Sequence, residues 1–276
     1  MEVIYLDPKM DFIFKKLMED EELLLDFVTR VLSQTEQGIV SVEIVNPETP
    51  REHIEDKYSI LDVKAITNDG RIINIEIQRR DEYNMVSRSL FHWSKMFSQQ
   101  LKKGKNYNKL RKTICINILD FNLLDEAHFH NYYTLINPVS QNSLNAPIEI
   151  HFVELKKYEK YRELSDDEGL KDWIEFLNAP ATVKEKSNPK IQKALDTLEG
   201  LSHDGETKEL YNLRKEAQEN GEILLNTKFS EGVEKGIEQG IEQGFLEAAK
   251  RMLGSGMSVE MVSEVMGIEV AVLRKL

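Results

Sequence analysis

Apolar positions along the chain change period several times, and each change marks an element. In DPKMDFIFKKLMEDEELLLDFVTRVL, Phe14, Leu17 and Met18, then Leu24, Phe27, Val28 and Val31, recur at helical spacing, with Asp7-Pro8 as the entry. IVSVEIVN alternates as a short strand, and NPETPREHIEDKY, with two prolines, reads as an irregular connection. Beyond it, LDVKAITNDGRIINIEIQ is two alternating runs around a turn signal. EYNMVSRSLFHWSKMFSQQLKKG returns to helical spacing for about six turns, with Gly104 at the C-cap position. TICINILDF and IEIHFVEL are further strands. This order predicts a mixed α/β core with helices around a sheet.

From Ser165 onward the pattern is helical, interrupted by NAPATVKEKSNP and by HDGE at 203–206. GVEKGIEQGIEQGF sets Gly232, Gly236, Gly240 and Gly244 in register beside Val233, Ile237, Ile241 and Phe245. Each glycine weakens a helix by about 1 kcal/mol relative to alanine. The repeat therefore reads either as a small-residue seam for another helix or as a charged, weakly stable spacer. SVEMVSEVMGIEVAVLRKL then reads helix, Gly267, helix; with no basic residue before Arg274, it suits packing or protein contact better than DNA reading. The expected domains are 1–215, carrying the sheet, and 216–276, all helical.

The turn signal NDG at 68–70 suits a three-residue hairpin loop with Gly70 left-handed. That register pairs Thr67 with Arg71, Val63 with Ile75 and Asp62 with Glu76. One face then carries Leu61, Val63, Ala65, Ile73, Ile75 and Ile77; the other carries Asp62, Lys64, Asn74, Glu76 and Gln78. A two-residue Asp-Gly loop instead splits Asp62 and Glu76 between faces. Two carboxylates opposite one another repel unless a proton or a cation compensates them. One or two carboxylates with water and a substrate phosphate are how Mg²⁺ is usually held. A solvated polar face is the plainer reading.

Charge sharpens this picture. The net charge is −12, which argues against nucleic acid as a partner, but residues 1–120 hold 18 basic against 20 acidic side chains while residues 121–276 hold 18 against 28. Ten basic residues, among them Arg79, Arg80, Arg88 and Lys95, fall between Arg79 and Lys112 against two acids, directly after the hairpin. The single cysteine, Cys115, lies in an apolar run and reads as a buried small hydrophobe. No stretch has the length of a membrane span and no leader follows Met1, so a cytoplasmic location is expected. The histidines show no metal-ligand spacing; His128 and His130 are the one close pair and read as loop. No Gly-rich phosphate loop and no GxSxG occurs.

Asp62, then Glu76-Ile77-Gln78 one hairpin later, resembles the acidic core of the PD-(D/E)xK phosphodiesterases, with Gln in the Lys position. The chain is similar over nearly its whole length to the Rpn-type recombination-promoting nucleases, also described as PD-(D/E)xK family transposases. Asp11-x-x-Phe14-Lys15, LDVKA, NIEIQ at 74–78, Arg88, GKNYNKLRKTICINILDF and the Gly-every-four tail carry the likeness. It implies a restriction-endonuclease-like fold and metal-dependent DNA cleavage in recombination or as a transposase-derived nuclease. It implies Asp62, Glu76 and the Ile77 carbonyl as ligands of Mg²⁺ or Mn²⁺, with Gln78 beside them. An amide supplies no charge where Lys would; Lys64 and Lys15 are the candidates to replace it. Asp11 is a third acid or a helix N-terminal charge. Arg79, Arg80, Arg88 and Lys95 are the expected DNA contacts, and the C-terminal helices the expected route to a homo-oligomer. The alternatives are a catalytically silent DNA- or protein-binding relative and an interaction protein whose repeat helix oligomerises.

Overall fold

A computed structural model describes residues 4–45, 63–101, 104, 106–144, 147–165, 167–183 and 188–275, without the side chains at 222 and 226. The chain divides into two compact units, Met1–Tyr211 and Asn212–Leu276.

In the first unit a six-stranded mixed sheet has the order β1-β2-β3-β4-β6-β5. Its strands are β1 (Val42–Ile44), β2 (Val63–Thr67), β3 (Ile72–Gln78), β4 (Thr113–Leu119), β5 (His130–Tyr133) and β6 (Ile148–Glu154). The β2–β3 hairpin adopts the three-residue register: Val63 faces Ile75, Lys64 faces Asn74 and Ala65 faces Ile73. Thr67 N–H donates to Arg71 O at 3.0 Å, Gly70 N–H to Thr67 O at 2.9 Å, and Gly70 has φ +85°. Asp62 and Leu61, with the connection from residue 46, lie outside the described residues. β3 runs parallel to β4 and β4 to β6, so β3 and β4 are interior strands covered on both faces.

One face buries Val63, Ala65, Ile73, Ile75, Ile77, Ile114, Ile116 and Ile118 against α1 (Asp11–Met18), α2 (Glu21–Val31), α5 (Glu168–Asn178) and α6 (Pro189–His203). Trp173 of α5 anchors this layer, its ring edge-on to Phe27 at 5.4 Å and its Nε1–H donating to Asp26 at 2.8 Å. The other face buries Cys115, Leu119, Ile150 and Phe152 against Met85 and Met96 of α3 (Met85–Gln99). α4 (Tyr158–Tyr161) is a single turn after β6. The expected mixed sheet flanked by helices is therefore observed.

Three local expectations are corrected. The N-terminal helical stretch is two helices, because Asp20 turns extended and caps α2, accepting from Glu22 and Leu23 N–H at 3.0 and 3.2 Å. α3 stops at Gln99, not at Gly104: the Gln100 side chain leaves the helix to exchange hydrogen bonds with the Arg111 backbone at 2.8 and 3.1 Å and to reach Thr113 Oγ1 at 2.9 Å. His130 opens an edge strand, not a loop. HNYY has no apolar alternation, and β5 is held by pairing to β6 and by its histidine.

α7 (Gly205–Gly254) carries the glycine repeat, with Val233, Ile237, Ile241 and Phe245 exposed beside it. At its end Ala249 packs with Val262 of α8 (Val259–Met266) and Leu273 of α9 (Val270–Leu273). Gly267 ends α8 in the left-handed conformation, at φ +66°. Among the described residues, and apart from its own stretch of helix, a Cβ at Gly236 or Gly240 meets no atom within 4 Å. The double substitution of both by Ala is therefore expected to stabilise the isolated helix, by about 1 kcal/mol each, in thermal melts followed by circular dichroism. A lowered melting point or a lowered oligomeric mass would contradict the spacer reading and reveal a helix seated on the glycine face.

Candidate active site

Period-2 alternation puts Glu76 on the α3 side of an interior strand, where its residue is only 3 % exposed. A carboxylate there requires compensation. Arg88, one turn into α3, supplies it: Nη2 lies 2.5 Å from Glu76 Oε1. Gln78 Nε2 donates to the same oxygen at 2.6 Å. Glu76 Oε2 is buried and has no hydrogen-bond partner among the described residues, and neither has Arg88 Nε. One carboxylate oxygen is thus saturated by two donors while the other is bare.

His92 lies one turn beyond Arg88. Burial pushes its imidazole below the ordinary value; Glu76 pulls it up, and Arg88, Lys64 and Lys95 push it further down. These five side chains therefore form one electrostatic cluster between the hairpin and α3. Behind them, Asn117 stands beside Glu76 in the parallel pair, accepts from Ser89 Oγ at 3.0 Å and donates to His151 O at 3.0 Å. Sequence reasoning missed His92, Ser89 and Asn117. The spacing 88, 92, 95 on one face of α3 was the available signal for His92; Ser89 and Asn117 carried none.

Of the expected residues, the structure brings together Glu76, Gln78 and Arg88, with Lys64 and Lys95 around His92. Ile77 is buried on the opposite face of β3. Arg79 pairs with Asp7 at 3.2 Å, and Arg80 follows it, half-buried. Asp11 opens α1, accepting from Phe12 N–H at 2.7 Å, and Lys15 is half-buried on the same helix. The segment entering α1 is tied to the strand ends through Lys9–Asp120 at 3.0 Å, and Asp120 N–H donates to Gln78 O at 2.9 Å. Among the described residues no three His, Cys, Asp or Glu side chains converge as a metal site; Asp62, the expected second carboxylate, lies outside them.

A second polar cluster lies on the opposite face. His130 Nε2 and His151 Nδ1 are 2.9 Å apart, and His151 Nε2 is 2.7 Å from Glu149 Oε1. Thr35 Oγ1 also donates to Glu149, and Lys112 bridges Glu149 and Glu36. Burial opposes charge on Glu149, but hydrogen bonds from His151, Lys112 and Thr35 outweigh it and bring the carboxyl down to about 2. Burial, with the neighbouring His151, drops His130 to about 3. Between about 3 and the ordinary histidine value the unfolded chain holds a proton at this position that the folded chain does not, so the contribution is complete above that value and is lost as pH falls toward 3. Glu149 adds a further loss between its ordinary value and about 2. His130→Gln is expected to flatten, though not remove, the upper part of this decline, since His92 is lowered too. Urea midpoints at stepped pH measure it; an unchanged pH profile would contradict the arrangement.

The family model for PD-(D/E)XK nuclease family transposases matches residues 8–227, and the chain belongs to that family. No curated protein and no solved structure gave a significant match. The match covers the whole sheet, Glu76 and α3. Among the described residues no helix is long and apolar enough to cross a membrane.

Proposed function

We propose that the chain is a divalent-cation-dependent DNA endonuclease, acting in recombination or as a transposase-derived nuclease, with Glu76 at its centre. The observation that carries this reading is the buried Glu76 carboxylate, with one oxygen saturated and the other without a partner among the described residues. An oxygen ligand aimed at a hard cation fits Mg²⁺ or Mn²⁺, so Glu76 Oε2 would hold the ion, with Asp62 and the Ile77 carbonyl as the further expected ligands. When bound, such an ion polarises a phosphate oxygen and lowers the pKa of an attacking water.

The protein's own contribution is orientation and charge. Gln78 fixes the Glu76 carboxylate by its hydrogen bond and brings no charge. Arg88, which is always protonated, supplies the cation that the strand position of Gln78 lacks, and reaches it from α3. Lys64 and Lys95 add positive potential on the same side, where phosphate approaches. Arg79 and Arg80 extend it beyond the end of β3. These basic groups position the backbone of DNA without reading its sequence.

Supercoiled plasmid incubated with Mg²⁺, with Mn²⁺ and with chelator tests the reading. Nicking with either ion and none with chelator is expected. DNA bound but left intact under all three conditions would instead establish the silent relative, which Gln78 favours.

A further inference from the structure

α3 carries more than the charges that face Glu76. Phe91 is 63 % exposed, and its ring meets His92 edge-on at 5.9 Å. At about 100° per residue, Phe91 lies about 60° from Arg88 and about 40° from Lys95 around the helix. Both cations therefore lie on the same side of Phe91, Arg88 one turn before it along the axis and Lys95 one turn after, and Arg88 is the residue paired with Glu76. Just before the helix, Tyr83 is 93 % exposed with φ +59°, one of two non-glycine residues at positive φ among those described. For a bulky side chain that conformation is strained, and it persists here with the ring in solvent.

Double-stranded DNA presents phosphates outward and hides its bases; a surface for it needs cations and no exposed rings. An exposed ring with cations on one side of it matches a strand whose bases are unstacked, because any base can stack on an aromatic face. We infer that Phe91 and Tyr83 stack on unpaired bases, and that the preferred substrate of this site is single-stranded or mismatched DNA. The inference rests on the nuclease reading above and adds the substrate class to it. The half-buried Lys95 beside Phe91, with the Arg88–Glu76 pair behind it, favours nucleic acid over an apolar protein surface as its occupant.

Fluorescence anisotropy with labelled single-stranded, fully paired and bubble-containing DNA, in chelator, tests it. Wild type should bind the single strand and the bubble at least about fivefold more tightly than the duplex. Phe91→Leu keeps apolar bulk without a π face, and Tyr83→Gly suits the left-handed backbone. Each should lose that preference while duplex affinity and thermal stability are kept. Equal affinity for bubble and duplex, or a preference surviving both substitutions, would overturn the inference, and with plasmid nicking intact it would fall alone. Absence of any DNA binding together with absence of nicking removes the nuclease reading and this inference with it.

Discussion

Replacing Arg88 by Ala is expected to destabilise the fold by about 3–5 kcal/mol, the usual consequence of removing one partner from a buried ion pair. Glu76 sits on a strand covered on both faces, and Arg88, whose side chain is 16 % exposed, stands 2.5 Å from it. Without the guanidinium, the carboxylate keeps only the Gln78 amide as a described donor. The combination of Arg88→Met with Glu76→Gln removes both charges and should recover most of the loss. Urea unfolding of wild type and the two variants in chelator measures this. A loss below about 1 kcal/mol for Arg88→Ala would place the pair with exposed salt bridges and contradict its role as the counter-charge.

The second large effect concerns the ion. Mg²⁺ at a hundredfold excess over its dissociation constant should stabilise wild type by about 2.7 kcal/mol, and Glu76→Gln by much less. An amide oxygen is a poorer partner for a hard cation than a carboxylate. In chelator, Glu76→Gln should cost less than Arg88→Ala, because Arg88 can turn toward solvent whereas Glu76 cannot. Thermal melts with and without Mg²⁺ separate the two terms. Equal gains for wild type and variant would move the ion away from Glu76.

Some of this site was legible in the chain itself. NDG with alternating flanks specifies both register and faces, because a one-residue slip turns Ile73, Ile75 and Ile77 away from the face they pack on. Glu76 was visible as an acid among isoleucines on a strand too apolar for an edge. Arg88 is legible as a residue of the family resemblance and an expected DNA contact, but its pairing with Glu76 depends on the crossing of α3 over β3, which no local pattern encodes. Lys64 and Lys15 are the candidates the chain offers for the missing charge, and the cation in contact with Glu76 comes from the next helix. The break at Asp20 and the early end of α3 were hidden for a related reason. Both depend on side chains that abandon the helix to satisfy backbone groups, Asp20 locally and Gln100 eleven residues away. β5 was hidden because its stability comes from the partner strand and the His130–His151 contact.

The most direct test of the central claim compares wild type and Glu76→Gln for single-turnover conversion of supercoiled plasmid in Mg²⁺, beside the same reactions in chelator. Nicking by wild type in Mg²⁺ alone and none above background by Glu76→Gln is expected, with both proteins folded by circular dichroism. Nicking by Glu76→Gln at the wild-type rate, or nicking by wild type in chelator, would contradict it.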